Sequence, residues 1–237
     1  MNTILIYQVS MFGNYDSIKP TPENIKKVLS SFEGFIPALV GVSSVDVITN
    51  TIKTDNRLQL VSLDGSKTIV FLQERIDINY NWNPDLPSFT DIDSLSEEIL
   101  SILNSLSSLY SELKGNRLTT STMITYKDFQ ESKLASSIYG HSYAKLLFSN
   151  VNGISEWSNR MNNQENVKIG ENQEMSNHII TLTFLNKSDE KKFTSLIDIN
   201  TVPQNTLERF DFSDLISYSK EAVKIIKNDI ERIKNVQ

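Results

Sequence analysis

Residues 58–72, LQLVSLDGSKTIVFL, constrain the fold more than any other stretch of the chain. Two segments of alternating apolar and polar residues flank Asp64-Gly65. An Asp-Gly pair suits a tight two-residue turn because such a turn demands positive φ, which glycine adopts without steric cost. The stretch is therefore expected to form a β-hairpin. Ile76, Ile78 and Tyr80 continue the alternation after the polar Gln73-Glu74-Arg75, extending the hairpin to a three-stranded meander that Trp82, Pro84 and Pro87 end.

Strands and helices can be placed around this meander. The apolar start, with Ile4, Leu5, Ile6 and Tyr7, reads as a first strand. Thr21-Pro22-Glu23 supplies an N-cap hydroxyl, a proline suited to the first helical position and an early acid, so a helix is expected there, burying Ile25, Val28, Leu29 and Phe32. Residues 39–49 are rich in β-branched side chains and read as a second strand. Over residues 91–114, Ile92, Leu95, Ile99, Ile102, Leu106, Leu109 and Leu113 recur at three- and four-residue steps, which predicts a long helix closed by Gly115. Leu100, Leu103 and Tyr110 widen its apolar stripe beyond a coiled-coil seam, so the helix should lie across a sheet.

The second half reads as a strand over 117–126, a weak helical stretch over 129–139 and a ragged strand over 157–169. Strands over 178–185 and 193–200 and a closing helix over 211–234 complete it. Ile76-Asp77-Ile78-Asn79 recurs as Ile197-Asp198-Ile199-Asn200. Phe89 and Phe210 each follow ten residues after the Asn, and acidic starts at Asp91 and Asp211 then lead into long amphipathic stretches. Such self-similarity suggests an internal duplication. The expected fold is α+β, with two similar β-α-β-β-β-α halves over 1–115 and 116–237. Each half would have an antiparallel sheet and a long helix packed on it.

Composition excludes several chemistries. The sequence has no cysteine, which removes thiol catalysis, thiolate metal sites and disulfides. It has two histidines, His141 and His178, too few for a three-histidine metal site, and neither has a patterned partner that would mark it as a general base. Eight glycines, scattered singly, build no phosphate-cradling loop. No Gly-x-Ser-x-Gly elbow occurs. A net charge of −6 opposes indiscriminate binding to nucleic acid. The N-terminal residues lack a basic leader and no apolar run could span a bilayer, so a cytoplasmic protein without membrane contact is expected.

Two groups of residues remain as candidate sites. Glu74, Asp77 and Asp198 could hold a divalent cation if the fold brings them together, giving a metal-dependent enzyme acting on nucleic acid or nucleotides. Tyr80, Trp82, Trp157 and Arg160 are of the types that anchor protein interfaces and are the candidate partner-binding residues. No catalytic, cofactor-binding or metal-binding residue is assigned.

The Asp64-Gly65-Ser66 hairpin, Gln73, the strand Arg75-Ile-Asp-Ile-Asn-Tyr80, the long helix after it and the later strand over 117–126 together resemble an uncharacterised, sporadically distributed bacterial family. The resemblance covers most of the chain in order. It implies no activity or cofactor, but patchy occurrence is typical of defence-associated and toxin-antitoxin genes. The expected function is therefore a non-enzymatic protein-binding module: an antitoxin, immunity or accessory subunit whose partner is another protein, such as a basic toxin or effector. The sequence leaves open whether the chain also forms a homodimer.

Overall fold

The twelve described secondary-structure elements form nine strands and three helices in a computed structural model that describes residues 2–46, 51–87, 89, 91–127, 129, 156–187 and 190–236. In chain order they are β1 (Asn2–Gly13), α1 (Pro22–Leu29), β2 (Phe35–Asp46), β3 (Thr51–Ser62), β4 (Lys67–Phe71), β5 (Arg75–Asn81) and α2 (Ile92–Leu109). There follow β6 (Gly115–Tyr126), β7 (Glu156–Ile169), β8 (Asn172–Lys187), β9 (Glu190–Thr201) and α3 (Phe212–Val236). The strands make one sheet in the order β2-β3-β4-β5-β1-β6-β9-β8-β7. Every pairing in it is antiparallel.

The expected hairpin forms, but through a four-residue loop, residues 63–66, in place of a two-residue turn, with the Gly65 N–H donating to the Ser62 carbonyl at 2.8 Å. Gly65 has φ +72°, and Asp64 Oδ1 accepts hydrogen bonds from the Ser66 backbone N–H (3.0 Å) and from the Ser62 (2.6 Å) and Ser66 (2.9 Å) hydroxyls. The Ser62 hydroxyl and the Ser66 donors hold the Asp64 carboxyl down at about 2. α1 starts at the expected Thr21 cap, whose side chain accepts from the Asn24 backbone N–H. α2 is capped by Asp91, and α3 by a reciprocal pair in which Asp211 and Asp214 each accept the other's backbone N–H at 3.0 Å.

α2 and α3 pack against one another on one face of the sheet. Beneath them Tyr7, Val9, Ile76, Ile78, Ile197 and Ile199 are fully buried, each isoleucine contributing roughly 1.5–3 kcal/mol over an exposed position. Phe71 meets Tyr110 edge-on, and α3 rests on β6 and β7. Tyr126, Phe129, Trp157, Phe184 and Phe193 form an aromatic cluster at the β7 side.

The expectation of two β-α-β-β-β-α halves with separate sheets is overturned by this single nine-stranded sheet. β1 and β6 pair over nearly their whole length, from Asn2↔Tyr126 to Gly13↔Gly115, and so join what the sequence reads as two units. Had the sheets stayed apart, each of these long central strands would have presented a row of unpaired backbone groups. The helices are also unequal: α1 has 8 residues, α2 18 and α3 25. Four strands follow α1, the one expected over 39–49 and the three of the meander, where the β-α-β-β-β-α formula allows three; residues 51–57, too polar to suggest a strand, lengthen β3 without adding another. Those residues pair with β2 alone, since β4 reaches β3 only at residues 59–61. The side chains described over 51–56 are exposed, so this two-stranded ribbon needs no apolar alternation. The helical stretch expected over 129–139 and His141 lie outside the described residues, Phe129 excepted. Among the described residues no helix is long and apolar enough to cross a membrane.

Candidate functional site

With both long helices on one face, the opposite face has no described helix on it, and strand alternation sends the polar residues there. Register aligns them in rows across the four central strands. One row is Arg75 on β5, Phe12 on β1 and Arg117 on β6. The next is Asp77, Ser10, Thr119 and Asn200, continued on β8 by Asn177. A third is Asn79, Gln8, Ser121 and Asp198.

These side chains hold one another in place. Ser10 donates to Asp77 Oδ1 at 2.6 Å, and Arg75 Nε lies 2.9 Å from Asp77 Oδ2. Asp198 accepts from Thr119 Oγ1 (3.2 Å) and Asn200 Nδ2 (3.1 Å). Asn200 Oδ1 in turn accepts from Arg117 (3.0 Å) and Asn177 (3.2 Å). The guanidinium carbons of Arg117 and Arg75 sit 5.0 and 5.8 Å from the Phe12 ring centroid, within cation–π range. Further along the same face, the fully buried Arg57 on β3 contacts Asp16 (2.8 Å), Asp55 (2.9 Å) and Gln73 Oε1 (3.3 Å). The Arg57 hydrogen bond lowers the Asp16 carboxyl below its ordinary range. Two arginines, Arg75 and Arg117, against two carboxylates, Asp77 and Asp198, leave the centre of the face near neutrality, suited to directional hydrogen bonding.

The candidate metal ligands do not converge. Asp77 on β5 and Asp198 on β9 are separated by β1 and β6, about 14 Å at the usual strand spacing. Each is occupied by its own neighbours. Asp77 is buried against Ser10 and Arg75, and the nearby Lys67 pairs with Glu98 at 2.9 Å. Among the described residues, no group of three or more His, Asp or Glu could hold a metal ion.

The candidate partner-binding residues scatter as well. Tyr80 is buried on the helix-covered face, edge-on to Phe89. Trp157, on the edge strand β7, stacks on Phe184 as part of the aromatic cluster. Arg160 is exposed on β7. Trp82 is exposed beyond the end of β5 and lines a cavity of about 330 Å³ with Lys127, Lys191 and Lys192. Sequence reading missed Phe12, Arg117 and Arg57. The sequence marked only part of the signal: Arg75, Asp77 and Asn79 are the outward positions of β5, but Phe12, Arg117 and Arg57 lie on β1, β6 and β3, whose places in the sheet no local pattern gives.

His178 lies on β8 under α3. Its Nε2 is 2.6 Å from Asp229 Oδ2 and its Nδ1 is 2.7 Å from Glu165 Oε1. The Asp229 hydrogen bond, reinforced by the charges of Asp229 and Glu165, holds the imidazole pKa above its ordinary value in spite of burial. With a carboxylate at each ring nitrogen, the imidazolium form fits best, and no free lone pair remains for proton abstraction. His178 is thus a link between helix and sheet. Comparison of this chain with protein-family models, with curated protein sequences and with solved structures finds no match.

Proposed function

We propose that the chain is a non-enzymatic protein-binding module whose working surface is the polar face of its sheet, opposite α2 and α3. Its role is that of an antitoxin, immunity or accessory subunit. The observation that carries this reading is the three-row array, in which the buried Ser10, Asp77 and Asn200 hold the partly exposed Arg75, Thr119 and Arg117 in advance by hydrogen bonds and ion pairs. Preorganised groups lose little freedom when a partner binds. The array's two carboxylates, Asp77 and Asp198, do not converge.

The partner is a protein with a basic surface. The net charge of −6 draws it in, and the near-neutral array then fixes its orientation by hydrogen bonds. Phe12, half-buried between two guanidiniums, supplies a flat apolar contact at the edge of the array.

The test is affinity purification of the tagged chain from its native host, with light scattering on what co-elutes and mass spectrometry to identify it. Ser121→Arg places a long cation in the middle of the face without touching the helix-covered core. A basic protein recovered in stoichiometric amount with the parent chain and lost with Ser121→Arg supports the reading. Retention by that variant, or no stoichiometric partner, overturns it. Circular dichroism on the variant confirms that its fold is intact.

A further inference from the structure

We propose that the cavity beside Trp82 is a mononucleotide-binding site, with the base against the indole and the phosphate held by Lys127 and Lys192. The sheet order builds this site from residues far apart in the chain. β5, β1, β6 and β9 are consecutive neighbours, so the residue after β5 (Trp82), the residue after β6 (Lys127) and the start of β9 (Lys191 and Lys192) meet at one end of the sheet. Thr3 and Thr125 add hydroxyls to the lining. The Trp82 backbone N–H donates to the Leu5 carbonyl at 2.7 Å, which ties the indole to β1.

Three features together point to the ligand. The indole is 40 % exposed, whereas Trp157 is stacked among other rings, so a large aromatic surface stands open within the cavity. Among the described residues, Lys127 and Lys192 have no ion pair or hydrogen bond of their own and no carboxylate lines the cavity with them. Like charges crowded together repel, and a bound anion relieves the repulsion. A cluster of this sign is the more distinctive in a chain of net charge −6. Lysine ammonium groups bind phosphate as point charges, and an indole offers any base a stacking surface. A cavity of about 330 Å³ has room for one nucleotide. An extended polyanion would meet the acidic remainder of the molecule, so a single nucleotide, rather than a nucleic-acid strand, is the fitting occupant.

The experiment is calorimetric titration of the full chain with AMP, with adenosine and inorganic phosphate titrated separately. AMP is expected to bind at one site and each half-ligand at least roughly tenfold more weakly, since each forfeits either the stack or the charge contacts. Trp82→Ala and the pair Lys127→Ala/Lys192→Ala should each weaken AMP binding about tenfold or more, and the lysine variant should also flatten its salt dependence. The substituted side chains lie at the rim of the sheet, and unchanged circular dichroism checks that the variants fold. The assignment is overturned if AMP does not saturate, if its affinity is untouched by these substitutions, or if inorganic phosphate binds as tightly as AMP. A single-stranded oligonucleotide binding more tightly per site than AMP would equally overturn the mononucleotide assignment.

Discussion

Gly115 is where a single missing methyl group lets the two central strands close on one another. A Cβ at this position would come within 2.5 Å of Met11 Cγ and of the Phe12 carbonyl oxygen, and the second of these is backbone that cannot step aside. Gly115→Ala should therefore destabilise the protein by about 1–3 kcal/mol, the usual cost of overpacking. At Gly41 the nearest atom to an added Cβ is Thr54 Cγ2 at 3.8 Å, so Gly41→Ala should leave the urea midpoint within error of the parent. On the polar face the sensitive residue is Asp77, because its removal strands two partners. Asp77→Ala leaves the buried Ser10 hydroxyl without its acceptor and the partly exposed Arg75 without its ion partner, and a loss of roughly 1–3 kcal/mol, most of it from the stranded hydroxyl, is expected in urea melts. Asp77→Asn keeps an acceptor for Ser10 and should cost less. An Asn variant as damaging as the Ala variant would show that the Arg75 charge pair, rather than the hydrogen bond, dominates.

The longest helix, α3, is fastened to the sheet by the link from Asp229 through His178 to Glu165, with Arg232 Nη1 3.8 Å from the other Asp229 oxygen. Because the folded-state pKa of His178 is raised, its contribution to stability is fully present below the unfolded value of about 6.5 and is lost as pH rises through the higher folded value. The stability gap between the parent chain and His178→Asn should thus be wider at pH 6 than at pH 9. A gap that is flat or grows over that interval would rule out a charged link. None of this was legible from the sequence, where His178 sits beside Asn177 and the carboxylates are 13 residues before it and 51 after. Local signals fared better. The hairpin around Asp64-Gly65, the Thr21 cap and the stripe of α2 are each written within a few residues and each forms, though the hairpin closes through four residues instead of two. The end of α2 was misread: the helix stops at Leu109, with Tyr110 out of helical conformation, and Gly115 opens β6 instead of closing the helix. A glycine after an apolar stripe looks like a C-cap unless one knows which strand will press against it. The polar array was half visible, since the outward side chains of β5 could be named but the strands beside them could not.

At the scale of the whole molecule, the pairing of β1 with β6 decides whether the chain behaves as one unit or two. The repeated Ile-Asp-Ile-Asn segments fall on β5 and β9, the strands flanking that central pair, with Asp77 opposite Ser10 and Asp198 opposite Ser121. An antiparallel seam running from Asn2↔Tyr126 to Gly13↔Gly115, with α2 packed on α3 above the sheet, couples everything on one side to everything on the other. Neither side can open without stripping hydrogen bonds from a central strand and exposing the shared core. The two tryptophans make this testable, because Trp82 reports from the β5 side and Trp157 from β7. In Trp157→Phe the remaining fluorescence follows the first side, and in Trp82→Phe it follows the second, while far-UV circular dichroism follows the whole sheet in both. Each variant has its own stability, so the comparison is made within a variant. Fluorescence and circular dichroism should give coincident urea transitions in both proteins, as a single cooperative unit requires. If fluorescence led circular dichroism in one variant and lagged it in the other, the two sides would be unfolding separately, and the β1–β6 pairing would be too weak to unite them.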